Sequence, residues 1–269
     1  MEQRTYLIKG LLGAMALTLV GARLVPGSDR NGPVLHAAVT FVAARSAKSP
    51  ADGTASGLAS RITDALHTFE KVVRPLSHPK ALETAFRSYF TYKAAHPDEV
   101  RKPLLYFVDY GLPSTEPRGY VFDMNTLQIV EGPFTVAHGR GSSTSQYGVP
   151  TRFSNGFGSA ATSLGLYLAE ATYAFHGHTG GRSYRSIGLR LKGVSDGFND
   201  NALSRGVVAH GAPYVTSSKA GRSEGCPAME QQRAQEILPK IAQGGMVFLF
   251  APDQQWMAHD PWVAATTAN

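Results

Sequence analysis

Pro103-Leu104-Leu105-Tyr106-Phe107-Val108 is the stretch that sets the fold class. Before it, apolar residues recur at helical spacing; from Pro103 onward the period drops to two. Leu104 to Val108 and Tyr120 to Phe122 read as strands, and Asp123-Met124-Asn125-Thr126 reads as the turn after them. Leu127 to Val130 returns, and Phe134 to Ala137 continues the pattern. Residues 139–165 are rich in Gly, Ser and Thr and predict a long loop region, the kind of segment that usually carries function. Tyr184 to Leu191 is a further strand. Gly206 to Ala209 is a short strand ending at His210, and Met246 to Ala251 closes the set. Gln231 to Ala242 predicts a helix that Pro239 must kink or end. Upstream, Ile62, Leu66 and Phe69 share one face of a helix over Arg61 to Glu70, and Leu82, Phe86 and Phe90 do the same over Pro79 to Ala95. The chain therefore predicts a mainly β architecture with peripheral helices, an α+β class.

Composition agrees with a packed domain. Of 269 residues, 43% are hydrophobic and 17% charged, which excludes a wholly disordered chain and a coiled coil. Lys+Arg 26 against Asp+Glu 20 gives a formal charge of +6. No run of basic residues concentrates that charge, so no nucleic-acid partner is expected. The single cysteine, Cys226, excludes an internal disulfide. Arg4 and Lys9 precede an apolar run from Leu11 to Ala22 that ends on Val20-Gly21-Ala22, the order of an export signal. Residues 1–22 thus predict a signal peptide or N-terminal anchor, a periplasmic location, and inner-membrane contact where the segment is kept. Residues 23–60, rich in Ala, Ser, Gly and Pro, predict a flexible linker. Residues 61–100 form the helical segment, and 101–269 the domain that carries the chemistry.

Two segments hold the reactive side chains: Val207-Val208-Ala209-His210-Gly211-Ala212 and Gly221-Arg222-Ser223-Glu224-Gly225-Cys226-Pro227-Ala228. The first puts a histidine at the end of a buried strand. The second puts a thiol after a glycine turn and before an expected helix, where N–H groups and the helix dipole would favour thiolate. A nearby histidine can pair with that thiolate and return its proton as general acid. N–H groups around Gly225 and Cys226 can receive an oxyanion.

His210-Gly211 followed by Ser223-Glu224-Gly225-Cys226 resembles the nucleophile signature of the YkuD-type L,D-transpeptidases of bacterial peptidoglycan. The match extends to the murein L,D-transpeptidase catalytic-domain branch. It includes Asp109-Tyr110, Pro113-Ser114-Thr115, Val136 to Ser142, Phe153-Ser154-Asn155, Ser163-Leu164-Gly165, Gly197 to Asp200, and His210 to Val215. The resemblance implies an L,D-transpeptidase-like β-sandwich catalytic domain preceded by helices. It implies Cys226 as nucleophile, His210 as base and then acid, and the Gly211 carbonyl as the group that orients the imidazole. Ser223 would fix the loop, beside Glu224 and Gly225. The implied partners are donor and acceptor stem peptides, joined in 3–3 or 1–3 cross-links, and the implied inhibitors are carbapenems. No cofactor is implied. An L,D-carboxypeptidase using the same thioester and a non-catalytic peptidoglycan-binding envelope protein are the alternatives.

The best-known transpeptidases of this type carry an arginine shortly after the cysteine, where this chain has Pro227 and Ala228. Arg222 is then the nearest cation for a substrate carboxylate, with a loop brace as its other reading. His138 and His178 are expected to line the cleft or bond loop backbone, and Tyr214 to be a cleft wall or core. His176-Gly177-His178 lacks the convergent third ligand and carboxylates of a zinc site, so no metal is expected.

Overall fold

The computed structural model describes residues 55–264. Residues 1–22 and most of the expected linker lie outside the described residues. Two helices come first, α1 (Ala55–Phe69) and α2 (Ala81–Ala95). Helix α1 begins inside the stretch 23–60, which corrects the expected linker boundary, since apolar burial of Ile62, Ala65 and Phe69 on the sheet orders the turns before them.

The strands follow as β1 (Leu104–Asp109), β2 (Gly119–Asp123), β3 (Gln128–Phe134), β4 (His138–Gly139), β5 (Gly165–Thr179) and β6 (Arg182–Gly193). Then come β7 (Val208–Gly211), β8 (Val215–Thr216), β9 (Lys219–Ala220), β10 (Arg222–Ser223), β11 (Ala228–Met229), α3 (Gln231–Ile241), β12 (Met246–Phe250) and α4 (Gln254–His259). Among the described residues, eight strands join one sheet in the order β11-β7-β6-β5-β12-β1-β2-β3, with β10-β4 and β8-β9 as separate pairs. The sheet-dominated, helix-poor architecture expected from the sequence is the one that forms.

The opening stretch shows why its reading needs refinement. β1 pairs with β12 in parallel and with β2 antiparallel, and Leu105 to Asp109 are all buried. A strand covered on both faces needs a continuous apolar run and no alternation. Phe69 of α1 and Phe86 of α2 cover this centre through Phe122, with ring centroids 4.5 and 5.6 Å away. Asp109 ends the strand and accepts from the backbone N–H and hydroxyl of Ser77, tying the segment before α2 to the sheet. Pro239 sits in the last turn of α3, which ends two residues later.

β5 and β6 form a hairpin of which much stands clear of the sheet. β12 pairs only with Gly165 to Leu168, and β7 only with Gly188 to Arg190. The ribbon from Ala174 to Ile187 pairs with itself alone. Its turn is Gly180-Gly181, with φ of +56° and +73°, a backbone that two glycines adopt without strain.

Candidate active site

The sheet's edge closes the sixteen-residue gap between His210 and Cys226. β11 runs parallel to β7, with Ala228 opposite His210 and Met229 opposite Gly211. His210 N–H donates to Pro227 O at 3.3 Å, and Ala212 N–H to Met229 O at 2.8 Å. Carried two residues back, the same register sets Cys226 beside Val208, whose backbone hydrogen-bonds the sulfur. The sulfur thus meets β7 two residues before the strand reaches His210.

Each member of the pair rests neutral. Burial pushes the half-buried Cys226 thiol up, the Glu224 carboxylate adds to the rise, and Val208 and the Arg205 guanidinium oppose it. Burial lowers His210 to about 4, against a smaller upward pull from the Gly211 carbonyl. His210 Nδ1 lies 3.1 Å from Gly211 O, so Nδ1 carries the proton and Nε2 is left as the base. Phe175 of the free ribbon stacks on the imidazole at 4.2 Å and 21°, helping to keep water from it. The expected helix-dipole activation is corrected here. β11 intervenes before α3, so the thiol is not at a helix start, and desolvation wins.

The loop before the thiol is held by Ser223. Its hydroxyl accepts from Gly225 N–H at 3.2 Å and donates to Cys226 O at 2.6 Å. Gly225 has φ +122°, and a Cβ there would fall 2.9 Å from Ala161 O, so only glycine fits. Because Gly225 N–H is consumed by Ser223, it is removed from the expected oxyanion donors. The Cys226 N–H, without an acceptor among the described residues, keeps that capability.

Other expected site residues separate. Arg222 gives Nη1 to Ser143 O at 3.0 Å and Thr144 O at 3.4 Å, the bracing alternative. His138 is buried in β4 beside Arg222 and accepts on Nδ1 from Arg118 Nη2 at 3.0 Å. Burial first, then the charges of Arg118 and Arg222, lowers it to about 3, so it is a neutral strut and no cleft wall. His178 is exposed near the ribbon tip, opposite Ser183, and His176 is exposed beside it. Among the described residues no group of three His, Cys, Asp or Glu side chains converges as metal ligands. Tyr214 is half-buried over Ala137, Ala212 and Ala228, with Tyr184 edge-on at 6.5 Å. Tyr173, Tyr184 and Tyr214 all lie within electrostatic reach of the sulfur.

Sequence reasoning missed Phe175, Tyr173 and Arg205. The two aromatics alternate along β5, a signal that was there to read. Arg205 carries no local signal: its place comes from bonds to Ser154 O, Ser159 Oγ, Ala161 O and Ser163 Oγ, all distant in sequence.

A family model described as the L,D-transpeptidase catalytic domain matches residues 74–250. Among solved structures, an L,D-transpeptidase from Mycobacterium smegmatis is 14% identical, with 56% of this chain and 59% of that one covered and a TM-score of 0.33. An L,D-transpeptidase in complex with imipenem is 16% identical, with 55% and 59% covered and a TM-score of 0.32. An Enterococcus faecium L,D-transpeptidase is 11% identical, with 55% and 49% covered and a TM-score of 0.31. The chain thus spans about six-tenths or less of the length of these proteins. A comparison with curated proteins finds no match. The family match takes in α2, every strand, and both members of the Cys226–His210 pair, and the chain belongs to the L,D-transpeptidase catalytic-domain family.

Proposed function

We propose that the chain is a cysteine-dependent acyltransferase that cross-links peptidoglycan stem peptides through a thioester on Cys226. The observation that carries this reading is the parallel β7–β11 register, which brings the Cys226 sulfur to the backbone of Val208 on the strand that holds His210, with Gly211 O beside Nδ1 of the imidazole. Substrate entry completes the desolvated site. His210 Nε2 takes the thiol proton as Sγ attacks the donor carbonyl, and the Cys226 N–H receives the oxyanion. Collapse breaks the C–N bond, and His210 returns the proton to the leaving amine. An acceptor amine then attacks the thioester, gives its proton to His210, and the thiolate leaves to recover that proton. Export to the periplasm, with the N-terminus as signal or anchor, is part of the same proposal.

The test is mass analysis of muropeptides after the protein is incubated with isolated sacculi. New cross-linked dimers are expected, and their fragmentation separates 3–3 from 1–3 links. Shortened stems without dimers would instead identify an L,D-carboxypeptidase. Unchanged muropeptides alongside an unreactive thiol would support a binding protein.

A second expected result concerns pH. Because the thiol is shifted upward, thiolate appears only as pH rises through the raised value. The rate of Cys226 alkylation by iodoacetamide should still climb above about pH 9, past the ordinary thiol midpoint near 8.5. A plateau reached by neutral pH would show a standing thiolate–imidazolium pair and overturn the neutral resting state.

A further inference from the structure

A cavity of about 320 Å³ has Cys226 in its lining. Its charged lining is Arg140, Arg205 and Glu224, and Phe157 stands at its rim, 67% exposed. Two cations face one anion, so the cavity carries a net positive charge beside the reactive sulfur. The two arginines are not equivalent. Arg205 has both terminal nitrogens committed to Ser154, Ser159, Ala161 and Ser163, and serves as a fixed charge.

Arg140 is placed by main chain and left open at its tip. Its N–H donates to Ser223 O at 2.7 Å, continuing the β4–β10 pairing and setting it beside Glu224. Its Nε bonds both carboxylate oxygens of Glu224, at 2.7 and 2.9 Å. Its two terminal nitrogens carry no hydrogen bond among the described residues. The pair is 61% and 71% exposed, so water and salt screen it and little is lost when another carboxylate takes the place of Glu224. An arginine fork accepts a second carboxylate side-on, in a planar geometry that lysine cannot reproduce.

We propose that Arg140 is the specificity-determining cation of the site, recognising a carboxylate-bearing ligand in the cavity beside Cys226, with Glu224 as the resident group it displaces. This inference rests on Cys226 being the nucleophile and supplies a cation on the cavity wall, where Arg222, braced through Nη1 on loop carbonyls, does not stand. Glu224 is then a competitor, so the two members of one ion pair act with opposite sign.

The test compares alkylation of Cys226 by iodoacetate and by neutral iodoacetamide, which differ in the carboxylate. Arg140→Ala should lower the iodoacetate-to-iodoacetamide rate ratio about threefold, and Glu224→Gln should raise it by a similar factor. In the double variant the gain from Glu224→Gln should vanish, because the site it frees is gone. With sacculi or a stem-peptide donor, Arg140→Ala should raise KM more than it lowers kcat. Ratios that fall in both single variants, or rates with both reagents that fall together, would show a loop strut and overturn the proposal. A Glu224→Gln gain that persists without Arg140 would show a general field effect and overturn it equally. A protein that forms no cross-links yet keeps the opposite-signed ratios would fail the proposed function and not this one.

Discussion

Replacing Cys226 by alanine is expected to cut acyl transfer by at least about 10⁴-fold while the fold survives. The two expectations come from different parts of the structure. Alanine removes one sulfur from a half-buried position and leaves Ser223 bonded to the backbone at residue 226, so the stability change should stay near 1 kcal/mol. The chemistry has no second thiol to fall back on, because Cys226 is the chain's only cysteine. Serine should not restore the rate. An alkoxide is far harder to form than a thiolate, and this site already penalises the anion of the softer atom. Dimer formation on sacculi measures the first claim and thermal unfolding the second. Dimers at the unaltered rate in the alanine variant would remove Cys226 from the mechanism.

The largest expected loss of stability lies away from the thiol. Arg118 is fully buried, and it is the hub that holds β4 against the sheet. Its Nε and Nη2 donate to Val136 O at 3.0 and 2.7 Å, its Nη1 donates to Leu112 O, and its Nη2 also meets His138 Nδ1. The guanidinium lies 4.8 Å from the Tyr110 ring centroid, and Tyr110 donates its hydroxyl to Ala137 O at 3.0 Å. Ala137 N–H in turn bonds Ala228 O at 2.8 Å, two residues past Cys226. Arg118→Met keeps much of the volume and orphans two carbonyls and an imidazole nitrogen, each costing about 1–3 kcal/mol. A total near 3–5 kcal/mol, or a fall in Tm of roughly 10 °C, is expected for a domain of this size. A variant whose Tm stays within about 2 °C would show the hub to be dispensable.

What the sequence made legible followed from where its signals are local. The runs around Leu104 and Met246 announce strands because central strands need unbroken apolar residues. His210-Gly211 and Gly225-Cys226 announce chemistry because a reactive thiol after a turn glycine has few other uses. β11 was not legible: two residues have no periodicity, and only pairing with β7 makes Ala228-Met229 a strand. That omission is why a helix was expected behind Cys226, and with it an activated thiolate. The direction of both shifts depends on burial that only the tertiary structure supplies. Whether His138 and Arg222 line a cleft or brace a loop stayed open for the same reason, since nothing near them in sequence reveals Arg118 or the carbonyls of Ser143 and Thr144. The Gly180-Gly181 turn was legible in principle. The Ala- and Gly-rich strands beside it dilute the alternation of Tyr173 and Phe175.

A neutral resting thiol also matters in redox terms. Peroxides and disulfides attack thiolates and leave protonated thiols nearly untouched, so sulfenic acid forms in proportion to the ionised fraction. Burial holds Cys226 protonated in the empty cleft. The desolvation that keeps the thiol protonated also slows oxidation of a sulfur that has no partner cysteine in the chain with which to form a disulfide. The one thiol of the chain is thereby kept in the form that oxidants attack most slowly.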